Sequence, residues 1–307
     1  MKAAFCPRFG PPEILELREV ERPRPSSQEL LVRVHAADVT VTDSRMRSGV
    51  PDAPFWFRAA LRVAVGFNGP RSGILGFAFA GTVEELGDGV KGFNLGDQVY
   101  AFNGMKVGGF AEFARVRADK IVARLPAGLC LDEAAAIPYG GLLSWCFLKK
   151  AAIRPGDDVL VYGASGSCGV AGVQIARTLG ARVTAVCSGA NAELVTSLGA
   201  ESVIDYTTND SVGSRKWDVI FDAAGKRKTS RLKESLARAL KPGGRSVSVD
   251  GGLPFGLNRD AFMELSKLVE AGNLKPVIDR RYPLEQLADA FRYMEQGHKR
   301  GSVLVIP

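Results

Sequence analysis

The fold is decided by the stretch VLVYGASGSCG, residues 159–169. An apolar strand runs directly into a turn with glycine at positions 163, 166 and 169, and a helical pattern follows. Such a turn lets backbone N–H groups and the helix N-terminus face a pyrophosphate group. The G-x-x-G-x-x-G spacing alone also suits a turn that only packs a strand against a helix. With a strand before it and a helix behind it, the turn predicts a dinucleotide-binding unit.

The pattern of apolar residues differs between the two sides of this turn. Downstream, apolar strands alternate with amphipathic stretches, as in RVTAVCS at 182–188 followed by AELVTSLGA at 192–200. This alternation predicts an α/β fold with a parallel sheet covered by helices. Upstream, short apolar runs separated by Gly, Pro and Asp fill residues 1–120, which predicts a β-barrel or a sandwich. The chain ends in a strand, SVLVIP, that no helix follows.

Composition excludes several classes of protein. With 307 residues, 46% hydrophobic and 24% charged, the chain is typical of a globular protein of about two domains. The uncharged run 134–148 is shorter than a membrane span and contains Pro138, so no membrane partner is expected. The five cysteines are scattered and no apolar leader is visible, which favours a cytoplasmic location. The net charge of +7 permits an anionic partner, but the basic residues are dispersed, so nucleic acid is not expected.

The end of the second predicted strand indicates which dinucleotide binds. A carboxylate about 20 residues after the glycine turn would hold the ribose 2′-OH of NAD. Here the strand runs into residues 186–191, and no acid occurs before Glu193. Ser188 and Asn191 are able to donate hydrogen bonds to a 2′-phosphate, although no Arg or Lys stands beside them. The sequence therefore favours NADP(H), with NADPH as the cofactor.

The motifs taken together resemble the medium-chain dehydrogenase/reductase superfamily, in its zinc-independent quinone oxidoreductase branch. The resemblance is carried along nearly the whole chain by FGPPEILELREVERPRP (9–25), ELLVRVHAADV (29–39), GFAFAGTVEELGDGVKGFNLGDQVYAF (76–102), GGFAEFARV (108–116), LDEAAAIPYGGLLSWCFL (131–148), GASGSCG (163–169), SLGAESVIDY (197–206), FDAAG (221–225), LKPGGR (240–245) and the segment 274–307. It implies a GroES-like β-barrel catalytic domain, residues 1–122 and 273–307, with an inserted Rossmann domain, residues 123–272. The final lone strand then returns to the barrel.

The resemblance also implies a set of cofactor-binding residues. It makes Ser165, Gly166, Ser167 and Cys168 the contacts in the pyrophosphate turn. Around the adenosine phosphate it places Ser188, Asn191 and Tyr206, with Lys299 and Arg300 standing in for a basic residue that relatives carry near Asn191. Beside the nicotinamide half it places Ala223, Ala224, Gly225, Val249 and Asp250.

The substrate side is implied less completely. Thr40 stands where many relatives carry an Asn, and it would donate a hydrogen bond to a substrate carbonyl. Tyr139 either supplies a proton or packs in the core. Four aromatic residues form either a wall for a planar acceptor or ordinary packing at the barrel rim: Phe55, Trp56, Phe57 and Phe77. Cys168, at a helix N-terminus, is either a reactive thiol or a small filler.

No metal site is expected. In the zinc branch a Cys follows the early strand and a Gly-His-Glu opens a later one; the corresponding positions here are Thr40 and Gly76-Phe77-Ala78. His35 and His298 are the only histidines, and a catalytic zinc needs about three converging protein ligands.

These features predict an enzyme that transfers a hydride from NADPH to a quinone or an α,β-unsaturated carbonyl, acceptors that need no metal to polarise them. One alternative is a zinc-free NADP-dependent alcohol or aldehyde reductase. Another is a non-enzymatic, NADPH-responsive RNA-binding or regulatory protein. A homodimer is expected by analogy with relatives, with the strand SVSVDGG at 246–252 as a possible sheet edge.

Overall fold

The chain forms two compact units in a computed structural model that describes residues 1–50, 55, 62–63, 65–225, 230–250 and 256–307. The first unit contains Met1–Tyr139 and Ile278–Pro307, and the second contains Gly140–Val277. Both junctions lie later in the chain than the predicted boundaries at 122/123 and 272/273. The reason at the first junction is that residues 122–124 still pair with the sheet of the first unit.

The elements follow one another in two patterns along the chain. The strands are β1 (Lys2–Phe5), β2 (Glu16–Glu19), β3 (Glu29–Asp38), β4 (Ala78–Leu86), β5 (Gln98–Phe102), β6 (Phe113–Arg117), β7 (Val122–Arg124), β8 (Asp158–Tyr162), β9 (Arg182–Cys187), β10 (Ser202–Asp205), β11 (Trp217–Asp222), β12 (Leu240–Ser248), β13 (Ile278–Pro283) and β14 (Ser302–Ile306). The α-helices are α1 (Val41–Ser48), α2 (Leu131–Ala135), α3 (Pro138–Lys150), α4 (Ser167–Thr178), α5 (Ala192–Ser197), α6 (Arg231–Ser235), α7 (Arg259–Glu270) and α8 (Leu287–Gln296).

The first unit is built on a seven-stranded sheet in the order β13-β14-β3-β4-β5-β7, with β6 also pairing with β3. The long central strand β3 pairs antiparallel with β4, β6 and β14, so the prediction of a β-rich domain is confirmed. Its core contains side chains from both chain segments, such as Phe79 and Phe110 from the first and Phe291 from the second. The last strand of the chain thus returns to this sheet.

The second unit contains a five-stranded parallel sheet in the order β10-β9-β8-β11-β12. In chain order this is 3-2-1-4-5, the order of a doubly wound nucleotide-binding sheet. The predicted parallel sheet is confirmed. Its strands all end at one edge, where the registers pair Tyr162 with Val186, Asp205 with Cys187, and Asp222 with Ser248.

No helix in the described part of the chain is long and apolar enough to cross a membrane.

Candidate functional site

The glycine-rich turn between β8 and α4 is held on both sides by close backbone contacts. The N–H groups of Gly163 and Ala164 both donate to the Val186 carbonyl of β9, at 3.0 Å each. Gly163 has φ +75°, and a Cβ there would lie 2.8 Å from the Ala224 Cβ. A Cβ on Gly169 would lie only 2.1 Å from the Gly163 carbonyl oxygen. Larger residues at either end would therefore push the turn out of place.

The N-terminus of α4 carries no cap from the side chain of its N-cap residue. That residue is Gly166, in the extended region with φ −79° and ψ 173°. A Cβ built on Gly166 meets one atom within 4 Å, the Gly163 carbonyl oxygen at 3.6 Å, so the space in front of it is open. The first N–H groups of a helix have no partner within the helix and attract anions. The end of α4 therefore suits a pyrophosphate, as the sequence predicts.

Helix α3 fixes the position of this helix end. The Ser144 hydroxyl donates to the Cys168 carbonyl at 2.7 Å. A Cβ on Gly140 would lie 2.5 Å from the Ser167 carbonyl oxygen, so the two helices cross at close range. Cys168 itself is 8% exposed, which agrees with the filler interpretation of this thiol better than with a reactive one.

Three of the predicted adenosine-side and turn residues come together. The Asn191 Nδ2 donates to the Ser165 hydroxyl at 3.1 Å and to the Ser188 hydroxyl at 3.2 Å. Asn191 is 8% exposed, whereas both serines are half-buried. Its Oδ1 is buried and has no hydrogen-bond partner among the described residues. Asn191 thus bridges the turn after β8 and the loop after β9, and its N–H groups are used by serines instead of facing a ligand.

An acid that the sequence analysis missed stands at the same loop. Asp205 ends β10, and its Oδ2 lies 2.6 Å from the position of a Cβ on Gly189. Hydrogen bonds from the Thr207 hydroxyl and from backbone N–H groups of Thr207 and Gly189 lower the pKa of Asp205, so the carboxylate is ionised at neutral pH. The absence of an acid from residues 186–191 therefore does not leave this loop without an opposing charge. The acid comes from the neighbouring strand and not from the segment that follows β9.

Tyr206, the next residue, is half-buried and packs against the apolar core of the second unit. Its backbone N–H donates to the Cys187 carbonyl at 3.2 Å. It therefore lies beside the strand end that leads into Ser188.

The residues predicted to flank the nicotinamide lie around Asp222, the last residue of β11. Asp222 Oδ1 accepts hydrogen bonds from the N–H groups of Ala224 at 3.2 Å and Gly225 at 3.0 Å. Its Oδ2 pairs with Lys233 Nζ at 2.9 Å. The ion pair is mostly buried, with side-chain exposures of 16% and 18%, so it fixes residues 223–225 directly after β11. Neither Asp222 nor Lys233 was predicted.

The end of β12 lies against the same loop. A Cβ on Gly225 would lie 2.2 Å from Asp250 Oδ2. The Val249 N–H donates to the Asp222 carbonyl at 3.0 Å. The five residues predicted for this edge are thus neighbours in the structure.

In the first unit, Thr40 caps α1. Its hydroxyl accepts from the Asp43 N–H at 3.1 Å and lies 2.5 Å from Asp43 Oδ2, while its N–H donates to that oxygen at 3.0 Å. The other oxygen, Oδ1, accepts from the Gly76 N–H at 2.9 Å. Thr40 is 1% exposed, and its one hydroxyl proton is directed at Asp43. The predicted contact of Thr40 with a substrate carbonyl stays a prediction, and the geometry assigns this hydroxyl to the cap.

Two buried carboxyl groups accompany this cap. Burial raises the pKa of Asp43 to about 7, against the opposing hydrogen bonds from Thr40 and Gly76. Burial likewise raises the pKa of Asp38, the last residue of β3, to about 6, although the charge of Lys299 opposes it. Ser302 Oγ donates to Asp38 Oδ2 at 3.2 Å, and Asp38 Oδ1 has no hydrogen-bond partner among the described residues.

The predicted basic substitutes, Lys299 and Arg300, belong to the first unit, whereas Ser188, Asn191 and Tyr206 belong to the second. Lys299 Nζ donates to the Gly301 carbonyl at 2.7 Å, and the Arg300 N–H donates to Asp279 Oδ2 at 2.9 Å. Their role at an adenosine phosphate stays a prediction.

Tyr139 is buried, but its hydroxyl is paired. It lies 3.0 Å from the Oγ1 of Thr42, a half-buried residue in the first turn of α1. The Tyr139 ring lies 6.4 Å from that of Phe102, which in turn stacks on Phe77 at 6.1 Å. Both predicted roles of Tyr139 are compatible with this arrangement.

The predicted aromatic wall is only partly described. Phe77 is 3% exposed and belongs to the core of the first unit, which agrees with ordinary packing. Phe55 is 84% exposed. Trp56 and Phe57 lie outside the described residues.

Over the described ranges, no three His, Cys, Asp or Glu side chains come close enough together to hold a metal ion. Thr40 and Gly76, the counterparts of zinc-ligand positions in the zinc branch, both contact the Asp43 carboxyl group instead.

Comparisons with known proteins agree with this architecture. Residues 26–127 match the alcohol dehydrogenase GroES-like domain, and residues 168–272 and 253–305 match two models described as zinc-binding dehydrogenase. The NADPH-dependent alkenal/one oxidoreductase of Arabidopsis thaliana is 30% identical over 100% of this chain and 80% of its own length. The quinone oxidoreductase of Rattus norvegicus is 31% identical over 100% of this chain and 98% of its own. The quinone oxidoreductase structure from Coxiella burnetii superimposes with a TM-score of 0.84 at 26% identity, over 100% of this chain and 99% of that one.

These matches confirm the predicted combination of a GroES-like domain with a Rossmann-type sheet. A full-length match at about 30% identity to enzymes of one kind also identifies the chemistry in general terms. The chain belongs to the medium-chain dehydrogenase/reductase superfamily and is an oxidoreductase.

Proposed function

We propose that the protein reduces quinones or α,β-unsaturated carbonyls with NADPH as the hydride donor and without a metal ion. The observation that carries this proposal is the glycine turn before α4, whose N-cap residue Gly166 brings no capping side chain, next to the Ser165–Asn191–Ser188 group. The names of the two relatives, one NADPH-dependent and one a quinone oxidoreductase, support the same substrate class.

The second unit would hold the cofactor. The uncapped first turn of α4 offers backbone N–H groups to the pyrophosphate, and Ser165 and Ser188 offer hydroxyl groups to a phosphate. Residues 223–225, fixed by the Asp222–Lys233 ion pair, would support the nicotinamide half. A bound NADPH supplies the hydride, and the protein supplies orientation and a dry environment.

The first unit would supply the proton that the reduced acceptor requires. The Tyr139 hydroxyl would hold this proton, and Thr42 Oγ1, 3.0 Å away and half-buried, would return one from the solvent side. Thr40 would act indirectly, because its cap on α1 holds Thr42 in place.

A panel of acceptors tests the proposal. NADPH oxidation is measured with quinones, enones and simple aldehydes, before and after chelation with EDTA. We expect turnover of quinones or enones that EDTA leaves unchanged. Turnover of unactivated aldehydes alone, or loss of activity with EDTA that zinc restores, contradicts the proposal.

The proton step has its own test. Tyr139→Phe is expected to lower kcat at least tenfold while the NADPH dissociation constant stays within twofold. Tyr293→Phe is the matched control, since that phenol donates to Asp279 in the same unit. An unchanged kcat in Tyr139→Phe removes Tyr139 from the mechanism.

The predicted homodimer is also part of the proposal. Among the described strands, β12 stands at one end of the five-stranded sheet, so one side of it is available for pairing. Light scattering at micromolar concentration is expected to give twice the 32.8 kDa of one chain. The cytoplasmic location stays a prediction.

A further inference from the structure

Asn191 joins two loops that a nucleotide would contact. Ser165 lies in the turn after β8, and Ser188 lies in the loop after β9; the strand ends themselves are neighbours in the sheet. The Asn191 amide stands between the two hydroxyls, 3.1 Å and 3.2 Å away, and is itself buried. The two serines are therefore held as a pair and do not rotate independently.

The hydrogen-bond accounting of this group leaves both serine hydroxyl protons without a described protein acceptor. A side-chain amide has two N–H donors, and both go to the serine oxygens. Each serine hydroxyl has one proton and accepts a hydrogen bond from Asn191. Among the described residues neither hydroxyl donates to another protein group. Both protons are thus available for donation to a ligand.

The electrostatics of the loop make this orientation matter. The ionised carboxylate of Asp205 stands against Gly189, one residue from Ser188, and opposes the binding of an anion there. A phosphate at this place therefore depends on donors that point at it. Hydrogen bonds from hydroxyls to a charged phosphate are about twice as strong as those between neutral groups.

We propose that Asn191 sets the preference for NADPH over NADH by orienting the Ser165 and Ser188 hydroxyls so that both donate to the 2′-phosphate. This assigns the Ser165 hydroxyl to the 2′-phosphate instead of the pyrophosphate contact that the resemblance implies. Asn191 is a positioning residue in this arrangement, since it acts only through the two serines. The proposal rests on the proposed function and deepens its cofactor assignment.

Dissociation constants for NADPH and NADH, from fluorescence titration of the full-length protein, test the proposal without relying on turnover. Asn191→Ala is expected to weaken NADPH binding about tenfold and NADH binding less than twofold. Asn191→Leu keeps the volume of the buried side chain, so it separates the loss of the amide from a collapse of the loop. It is expected to weaken NADPH and NADH binding to the same extents as Asn191→Ala. Asn94→Ala, at an exposed position in the first unit, is the control and is expected to change neither constant.

A double-mutant cycle separates positioning from a merely structural role. In a Ser165→Ala, Ser188→Ala background, Asn191→Ala is expected to change the ratio of the two dissociation constants less than twofold. A cost that persists undiminished in that background overturns the proposal, as does a ratio that stays at the wild-type value in both single variants of Asn191. Either of these results overturns the role of Asn191 but leaves the proposed preference of the wild type for NADPH intact. Equal binding of NADH and NADPH by the wild type overturns the proposed cofactor preference and this inference together.

Discussion

Two helices of this chain begin directly after a strand, and their N-termini are satisfied in opposite ways. Helix α1 follows β3 and begins after Thr40, whose side chain forms a capping box with Asp43. Helix α4 follows β8 and begins after Gly166, which has no side chain to offer. The first helix end is capped by the side chains of its own residues, and the second has no such cap from its N-cap residue.

The two helix ends differ in what faces their first N–H groups. A helix N-terminus carries the equivalent of about half a positive charge and free N–H groups. In α1 the Asp43 carboxyl group meets this need, at the expense of a fully buried acid whose pKa is raised to about 7. In α4 the N-cap residue has no side chain that meets this need. The N-cap residue, threonine or glycine, thus separates a helix end that its own side chains cap from the helix end at which we propose that the pyrophosphate binds.

The largest effect is expected at the N-terminus of α4 from Gly169→Ala. The added Cβ would lie 2.1 Å from the Gly163 carbonyl oxygen and 2.6 Å from Ala164 backbone atoms, so the turn must shift. We expect loss of NADPH binding by at least a hundredfold, with a loss of stability of about 3 kcal/mol. Titration of NADPH fluorescence and thermal unfolding measure the two effects. Gly166→Ala is the control for the stability measurement, because its Cβ meets nothing closer than 3.6 Å. Tight NADPH binding by Gly169→Ala would contradict the close packing of the turn.

The next effect is expected at the N-terminus of α1. Asp43→Ala leaves buried donors of Thr40 and Gly76 without an acceptor, which is expected to cost about 2–4 kcal/mol of unfolding free energy. Because Asp43 belongs to the first unit, the NADPH dissociation constant is expected to stay within twofold. Denaturant unfolding measures the loss, and Thr40→Ser, which keeps the capping hydroxyl, is the control. A variant as stable as the wild type would mean that the capping box contributes little.

Giving α4 a side-chain cap like that of α1 tests the comparison of the two helix ends directly. Gly166 already has the extended backbone of an N-cap residue and open space at its Cβ, so Gly166→Asp is expected to cap α4. The unfolding free energy should stay unchanged or rise by about 0.5–1 kcal/mol. Both NADPH and NADH should bind at least tenfold more weakly, because the new carboxylate would fill the proposed anion site and repel the pyrophosphate. Undiminished binding with a stabilised fold would show that the dinucleotide does not use this helix end.

Sequence reasoning recovered the local features of both helix ends better than the contacts between them and their surroundings. The glycine turn and the parallel sheet follow from spacing and periodicity within short windows, and both are confirmed. The Thr40-x-x-Asp43 pattern is also local, and it would have indicated a capping box had it been considered beside the substrate role of Thr40. Asp205 and the Asp222–Lys233 pair depend on strand register and on a helix that folds back over the sheet, which no short window contains.

The sequence also does not show which side chain donates in the hydrogen bonds between Asn191 and the two serines. Ser188 and Asn191 were predicted as donors to the same phosphate, which treats them as equivalent. In the structure the buried Asn191 amide donates to the two serine hydroxyls, so it acts on a phosphate only through the more exposed serines. Which of the three side chains is buried depends on the packing of the whole unit, which a short stretch of sequence does not show.

The smallest expected effect concerns Asp38, the second buried acid that accompanies the cap on α1. Its pKa is about 6 in the folded state and about 4 in an unfolded chain, so between these values the folded protein binds the proton that the unfolded chain has lost. The stabilisation that this proton provides is present below pH 4 and is lost as the pH rises through about 6. Between pH 5 and 7 the wild type should therefore lose about 1 kcal/mol from this group alone.

Asp38→Asn keeps the shape of the side chain and removes its titration. The unfolding free energy of this variant, measured in denaturant against that of the wild type, is expected to gain about 1 kcal/mol between pH 5 and 7. Asp205→Asn is the control. Hydrogen bonds lower the pKa of this carboxylate at the end of β10, so its stabilising effect is lost only as the pH falls below about 4, and the difference from the wild type should not change between pH 5 and 7. A difference for Asp38→Asn that is constant with pH would mean that Lys299 and Ser302 hold the carboxylate charged at every pH tested. The N-terminus of α1 would then carry its buried acid as an ion pair, and the contrast with the N-terminus of α4 would lie only in the cap itself.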